Sequence, residues 1–237
     1  MSAPRTGVVF GGSSGIGSAV VRAMRARGHR VLSASRRGTS PNGGDSVVCD
    51  IRDGDGVAEA LCRASPDGAR VDWVVNAAGV GYYAPFEERF GEQWQQILDT
   101  NVIGLLNLVS ALRGLPVPVR NLVQIGSLAG SRPSRTPGND VYAAAKTAGA
   151  QLLSRHREQL RASGVGTKVT VITPGYVGET DFSRNFYGHA PDLAEPLLDR
   201  FVPLSPTDVA SVVEHVLLAP GQVEISEIVL RPPGQPD

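Results

Sequence analysis

Cysteine is almost missing from this chain of 237 residues: Cys49 and Cys62 are its two thiols. Two are too few for a disulfide framework, and their spacing is not that of zinc ligands. Reduced thiols in a cytoplasm are therefore expected, and no metal centre. No apolar run approaches the ~20 residues that a membrane-spanning helix needs. Charge of one sign is not in surplus either, since Lys plus Arg and Asp plus Glu are both 23. That removes the basic footprint of nucleic-acid binding and the acidic excess of a solvating tail. Met1-Ser2-Ala3-Pro4-Arg5 leads straight into an apolar strand, without the charged region, long apolar region and cleavage site of a secretory signal. Repeats, low-complexity tracts and charge blocks are absent, and the Pro/Gly clusters are spread between elements as connectors. No linker divides 1–237, and one buried core is expected.

What is present begins with Gly7-Val8-Val9-Phe10, a short apolar run of the kind a buried parallel strand shows. It leads into Gly11-Gly12-Ser13-Ser14-Gly15-Ile16-Gly17 and then an apolar-periodic helix over 19–27. Glycines let the backbone bend sharply and let a diphosphate approach the free N–H groups and positive dipole of the helix N-terminus. A tight structural turn would use the same residues, but placement between a strand and a helix at the start of a βαβ unit favours a nucleotide. The second strand, Arg30–Ser35, ends in Arg36-Arg37. An NAD-binding unit places an acid on the ribose hydroxyls there, about twenty residues past the glycines. A carboxylate would repel a 2′-phosphate and a guanidinium would bind it, so the pair argues for NADP(H) over NAD. The alternative is a solvated arginine pair at a strand end.

Val47-Val48-Cys49 reads as a third strand, followed by Asp50-Ile51 and a helix over 53–64. Asp50 could meet an adenine amino group or lead into that helix. A fourth strand over 71–75 runs into Asn76-Ala77-Ala78-Gly79, small residues that let the chain pass close to a flat ligand, with Asn76 alternatively bracing the sheet. Asn101 lies among apolar residues in a helical region over 92–112, where a buried amide needs partners and so points to a polar network or a water site. A fifth strand, Leu122-Val123-Gln124-Ile125, puts Ser127 at the carboxyl end of the sheet, where open α/β folds hold their chemistry. Arg132 and Arg135 sit in the loop that follows; a solvated loop accounts for them, and they also hint at an acidic or phosphopantetheine-borne substrate. The sixth strand, over 168–173, turns out through Pro174-Gly175-Tyr176-Val177. The stretch 178–204, irregular and carrying Phe182, Phe186 and Tyr187, is expected to form a substrate lid. Ser205-Pro206-Thr207-Asp208 then offers an N-cap, a proline at the first helical position and an acid in the first turn of a helix to Leu218. Glu227-Ile228-Val229-Leu230 closes as a seventh strand.

The helix that begins near Val141 carries Tyr142 and Lys146. Positions i and i+4 lie about 40° apart around a helix axis and roughly 6 Å apart along it, so phenol and ammonium share a face. A cation about 4 Å from the phenol at an effective dielectric of ~20 would supply roughly 4 kcal/mol, or about 3 pKa units, and bring the phenol into working range.

In order and spacing these motifs resemble the short-chain dehydrogenase/reductase family over nearly the whole chain, and in particular 3-oxoacyl carrier protein reductases and related ketoreductases. The resemblance implies a single Rossmann-type α/β domain: a doubly wound parallel sheet of about seven strands with helices on both faces. It implies NADP(H) as cofactor, held by Gly11, Ser13, Ser14, Gly15, Ile16, Gly17, Arg36, Arg37, Asp50, Ile51, Asn76, Ala77, Ala78, Gly79, Pro174, Gly175, Val177 and Thr180 together with Tyr142 and Lys146. It also implies roles. Tyr142 would pass a proton to or from the carbonyl oxygen, Lys146 would lower the tyrosine pKa and bind the nicotinamide ribose, Ser127 would orient the carbonyl, and Asn101 would hold a relay water. A ketone or secondary alcohol substrate, free or carrier-bound, and a homodimer or homotetramer would follow. A catalytically silent NADP sensor, or a dehydrogenase working oxidatively, would use the same fold. Three features depart from the family pattern. Phe10 stands where a threonine is usual, the spacing from Pro174 to Thr180 is one residue long, and the Ser127–Tyr142 interval is also long.

Overall fold

The computed structural model describes residues 3–66, 68–87, 90–132, 138–187 and 201–235. Seven strands form one parallel sheet: β1 (Thr6–Phe10), β2 (Arg30–Ser35), β3 (Ser46–Val48), β4 (Trp73–Asn76), β5 (Asn121–Ile125), β6 (Lys168–Pro174) and β7 (Glu227–Leu230). Their spatial order is β3-β2-β1-β4-β5-β6-β7, and every pairing is parallel. The chain winds outward from β1 to β3, then crosses back to β4. That reversal opens a crevice beyond the carboxyl ends of β1 and β4.

The helices are α1 (Gly15–Ala26), α2 (Gly54–Ala64), α3 (Gly91–Leu98), α4 (Gly104–Arg113), α5 (Asp140–Ala162), α6 (Asp181–Tyr187) and α7 (Pro206–Leu218). Side-chain alternation along β1 shows why both faces are covered. Val8 and Phe10 enter a core with Val57 of α2, Leu105 of α4 and Leu153 of α5. Val9 points the other way, to Val20 and Met24 of α1 and Val209 and Val213 of α7. Each such side chain is fully buried and contributes roughly 1.5–3 kcal/mol. Gly7 has a separate reason: a Cβ there would strike the ring of Trp73, its register partner on β4.

Local signals explain several boundaries. The Asp53 carboxylate caps α2 by accepting from the Asp55 N–H. Ser205 and Asp208 form a reciprocal capping box with Pro206 in the first turn of α7. The helical region expected over 92–112 consists of two α-segments joined by a π-helical turn, Asp99–Ile103, with Asn101 inside it. The stretch 178–204, expected to be irregular, contains α6; residues 188–200 lie outside the described residues. The Thr180 hydroxyl accepts from the Ser183 N–H and starts that helix, and Phe182 and Phe186, four apart, turn the same face inward. Val177 and Leu204 are joined by an isolated parallel bridge. Among the described residues no helix is long and apolar enough to cross a membrane.

Candidate active site

A cavity of about 1100 Å³ fills the crevice, reaching from Arg36, Arg37 and Asp50 at one end to Tyr142 and Phe182 at the other. Its floor is the glycine turn. Gly11 has a φ of 78°, and a Cβ there would lie 2.7 Å from the Ala78 nitrogen, so only glycine lets the turns after β1 and β4 touch. A Cβ on Gly17 would run into the Gly11 carbonyl, which seats the first turn of α1 directly on the glycine turn. Ser14 occupies the N-cap of α1 without a side-chain cap bond, and the first turn holds no acid. The leading N–H groups and the positive helix end, beside Ser13, Gly15 and Ile16, therefore face the cavity. Phe10 does not loosen the turn: its ring is buried in the core, its carbonyl accepts from the Ala77 N–H at 2.9 Å, and Gly11 N–H donates to Ala34 at 2.8 Å.

The remaining expected contacts divide. Ala77, Ala78, Gly79, Ile51, Pro174, Gly175, Val177 and Thr180 line the cavity. Asn76 stands behind the wall. Its amide donates to Gln124 at 2.8 Å and its oxygen accepts from the Ala78 N–H, so it braces β4 against β5. Asp50 is gripped by Arg52 through bonds of 2.6 and 3.0 Å, and this hydrogen bonding, aided by Arg36 nearby, holds its carboxyl below the usual carboxylate range. The extra residue before Thr180 is absorbed where Glu179 takes a φ of 54°, which places the Thr180 methyl over Gly15. Arg132 lines the cavity; Arg135 lies outside the described residues.

Ser127 follows β5 and caps a short 3-10 turn, Leu128–Gly130, accepting from the Ala129 N–H at 3.3 Å. Tyr142, in the first turn of α5, is hydrogen-bonded to the Ser127 hydroxyl, which favours its ionised form, but burial dominates and pushes the phenol up to about 12. Burial also brings the Lys146 ammonium down to about 8. The ammonium lies over the Tyr142 ring, 5.6 Å from its centroid, and donates to the Ile125 carbonyl at 3.3 Å. The expectation that Lys146 lowers the tyrosine pKa is thus corrected for this arrangement: the cation faces the ring, and the cost of desolvation exceeds any Coulomb gain. Asn101 donates to the Val80 and Ile97 carbonyls at 2.8 and 2.9 Å, while its side-chain oxygen is buried without a partner. That oxygen and Lys146 Nζ both face the Cα of Gly79, and the π turn aims the amide there. Such turns recur at functional positions.

The roof comes from the stretch expected to form a substrate lid, and from Tyr176 just before it. Phe182 packs on Tyr142 with centroids 5.1 Å apart and stacks on Phe186 at 5.8 Å, and Tyr176 meets Phe201 at 6.1 Å.

A family model described as short chain dehydrogenase matches residues 5–189. The chain belongs to this family. Within it, the chain is 30% identical over 238 residues to the NADP-dependent 3-hydroxy acid dehydrogenase YdfG of Escherichia coli K12, spanning 95% of this chain and 94% of that one. It is 35% identical over 241 residues to an uncharacterized oxidoreductase of Mycobacterium tuberculosis, covering 98% and 92%. The closed form of a serine dehydrogenase complexed with NADP+ superposes with a TM-score of 0.82 at 27% identity, over 94% of each chain. The chain is thus a short-chain dehydrogenase/reductase, an oxidoreductase, and in it the glycine turn, the loop after β4 and the α5 pair share one cavity.

Proposed function

We propose that this chain, as one domain over 1–237, is an NADP(H)-dependent oxidoreductase that interconverts a ketone and a secondary alcohol, with Tyr142 as general acid and base. The observation that carries the reading is a single cavity that joins the uncapped N-terminus of α1 and the Arg36–Arg37 corner to the Ser127–Tyr142 hydrogen bond. The floor fits a dinucleotide: it has glycines where a Cβ would intrude, exposed N–H donors for a diphosphate, and cations for a 2′-phosphate. The NADP dependence of YdfG and the NADP+ complex of serine dehydrogenase support the choice of cofactor.

When bound, the nicotinamide supplies or accepts the hydride at the carbonyl carbon. Tyr142, protonated at neutral pH, gives its proton to the carbonyl oxygen during reduction and takes it during oxidation. The Ser127 hydroxyl orients that oxygen through the bond it already makes to the phenol. Lys146, titrating near 8, restores the phenol proton. The unpartnered Asn101 oxygen holds a water beside Lys146. Phe182 and Phe186 exclude bulk water from the reacting centre. Arg132 on the cavity wall favours a substrate with an acidic group, whether a free hydroxy acid or a phosphopantetheine-borne thioester, and the names of YdfG and serine dehydrogenase agree with the former. Assembly as a homodimer or homotetramer through α3–α4 and α5, in a cytoplasm, completes the reading; exposed Leu98, Ile103 and Leu106 support it.

A catalytically silent NADP sensor has one observation in its favour, the burial of Tyr142 beneath Phe182. NADPH oxidation across ketones, aldehydes, 3-keto acids and β-ketothioesters separates the two. Turnover of any of these with NADPH is expected. Firm NADPH binding with no turnover on the whole panel would establish the sensor.

A further inference from the structure

Beyond β7 the chain turns back on the sheet instead of leaving it. In Pro232-Pro233-Gly234-Gln235 the Gln235 N–H donates to the Pro232 carbonyl at 3.2 Å, and Gly234 takes a φ of 83°. Proline at the second position and a positive-φ glycine at the third are what a type II turn asks for. Pro232 is buried, so the turn has a fixed root. Its effect is to bring one side chain, that of Gln235, to the wall of the large cavity.

The two ends of that amide are not equivalent. Its oxygen accepts from the Tyr176 N–H at 2.9 Å and packs on Gly175, where a Cβ would strike it. Only the oxygen can accept there, so the NH2 group is turned to the other side, and among the described residues nothing accepts from it. The sheet order places this wall. Arg36 and Arg37 follow β2, Ser127 follows β5, and Gly175 and Tyr176 follow β6. Gln235 therefore stands on the Ser127 flank of the crevice, away from the arginine corner and beside Tyr176 and Phe201. A donor open at a cavity wall bonds to water until a ligand displaces it, and that ligand must bring an acceptor of its own.

We propose that Gln235 is a specificity-determining residue whose amide is divided between two tasks: the oxygen positions the turn after β6, and the nitrogen donates to a carboxylate that the substrate carries beyond its reacting carbon. Charge favours a carboxylate as the acceptor. Arg132 lines the same cavity, and the carboxylates among its described lining residues, Asp50 and Asp181, are each already paired with an arginine. An anionic end thus finds donors, while an ammonium end finds no unpaired counter-charge among those residues. A residue that only braced the turn would need the oxygen alone. The inference rests on the reading of this cavity as a ketone/alcohol site.

The test uses Gln235→Glu, which keeps an oxygen for the Tyr176 N–H and removes the donor, and Gln235→Met, which removes both without adding charge. The probes are 3-hydroxybutanoate and 2-butanol, alcohols that differ by a carboxylate against a methyl group, oxidised at saturating NADP+. The wild type should prefer the acid in kcat/KM. Gln235→Met should raise the KM for 3-hydroxybutanoate about tenfold, the low end for a hydrogen bond to a charged group, and Gln235→Glu at least as much. In Gln235→Glu the kcat, the KM for 2-butanol and the NADP+ dissociation constant should all stay at wild-type values, because the turn keeps its acceptor. Equal losses on both probes in that variant would reduce Gln235 to a brace and overturn the proposal. So would a wild type indifferent to the carboxylate, or a loss in Gln235→Glu that vanishes at about 0.5 M salt, where the field of a new charge is screened and a missing donor is not. That salt comparison decides the matter even if Gln235→Met does not fold. A wild type that binds NADPH and turns over none of the carbonyl panel sinks the ketone/alcohol reading itself. Turnover elsewhere on the panel without 3-hydroxybutanoate sinks the Gln235 assignment alone.

Discussion

Lys146 Nζ stands over the ring of Tyr142, 5.6 Å from its centroid, and spends a hydrogen bond on the Ile125 carbonyl. The two residues do share a helical face, as their spacing requires, yet sharing a face does not place ammonium beside hydroxyl. A cation over the electron-rich ring is held by the quadrupole, and both groups are moved by burial away from their charged forms. The phenol that results stays protonated at neutral pH.

Tyr142→Phe removes the transferable proton and little else, because the ring keeps its contact with Phe182. Turnover with NADPH should fall by about 10²–10⁴-fold, the usual range for a lost general acid, with the NADPH dissociation constant within twofold of wild type. Steady-state rates and calorimetry on the same preparation check this; wild-type turnover in the variant would end the role given to Tyr142.

The shifted pair also makes a statement about pH. Lys146 titrates near 8 in the folded chain against an ordinary 10.5, so between those values the unfolded chain holds more protons and stability rises with pH. Tyr142 is raised from 10 to about 12; there the folded chain holds more, and stability falls with pH. Lys146→Met should therefore be more stable than wild type at pH 7, by up to about 3 kcal/mol, and the gap should close by pH 10. Urea denaturation of both proteins at pH 7, 8, 9 and 10 measures the gap, and a constant difference would contradict the buried-lysine assignment.

Arg36 and Arg37 should not contribute equally to cofactor choice. Arg36 lines the cavity with its field on Asp50, whereas Arg37 must first leave Asp181. Charge-assisted hydrogen bonds contribute about 1.5–3 kcal/mol, so Arg36→Ala should raise the Michaelis constant for NADPH by about 10- to 150-fold. Arg37→Ala should raise it less, and neither should affect that for NADH. Equal losses for both dinucleotides would mean the pair serves only the fold.

Ser205→Ala offers a control far from the chemistry. It removes the arm in which the Ser205 hydroxyl accepts from the Asp208 N–H and keeps the arm from the Ser205 N–H to the Asp208 carboxylate, which costs about 1 kcal/mol and should lower the melting temperature by about 2–4 °C. NADPH affinity should be unchanged, since no residue of α7 lines the cavity.

Much of this was legible in the residues. The glycines after β1 announce a turn because Gly11 and Gly15 take positive φ, and short β-branched runs announce buried parallel strands. Ser205, Pro206 and Asp208 spell out a helix start because capping chemistry is local. What stayed hidden depends on distance along the chain or on packing. The Arg37–Asp181 pair spans 144 positions and leaves no local trace. Asn76 finds Gln124 only because β4 and β5 pair in that register. The π turn at Asn101 lies inside an unbroken helical pattern, and α6 is too short for periodicity to resolve. The pKa values of Tyr142 and Lys146 come from burial, which spacing does not reveal.

The alternation along β1, with Val8 and Phe10 in one core and Val9 in the other, has an evolutionary consequence. The glycine turn hangs from a strand clamped on both faces, so disturbing it means disturbing the whole molecule. The helix above Tyr142 is fastened by an exposed ion pair, a few rings and hydrogen bonds to the Val177 carbonyl and the Tyr83 N–H. Substitutions there can reshape the substrate end of the cavity while the glycine turn is left intact, which is how one fold comes to carry different sites.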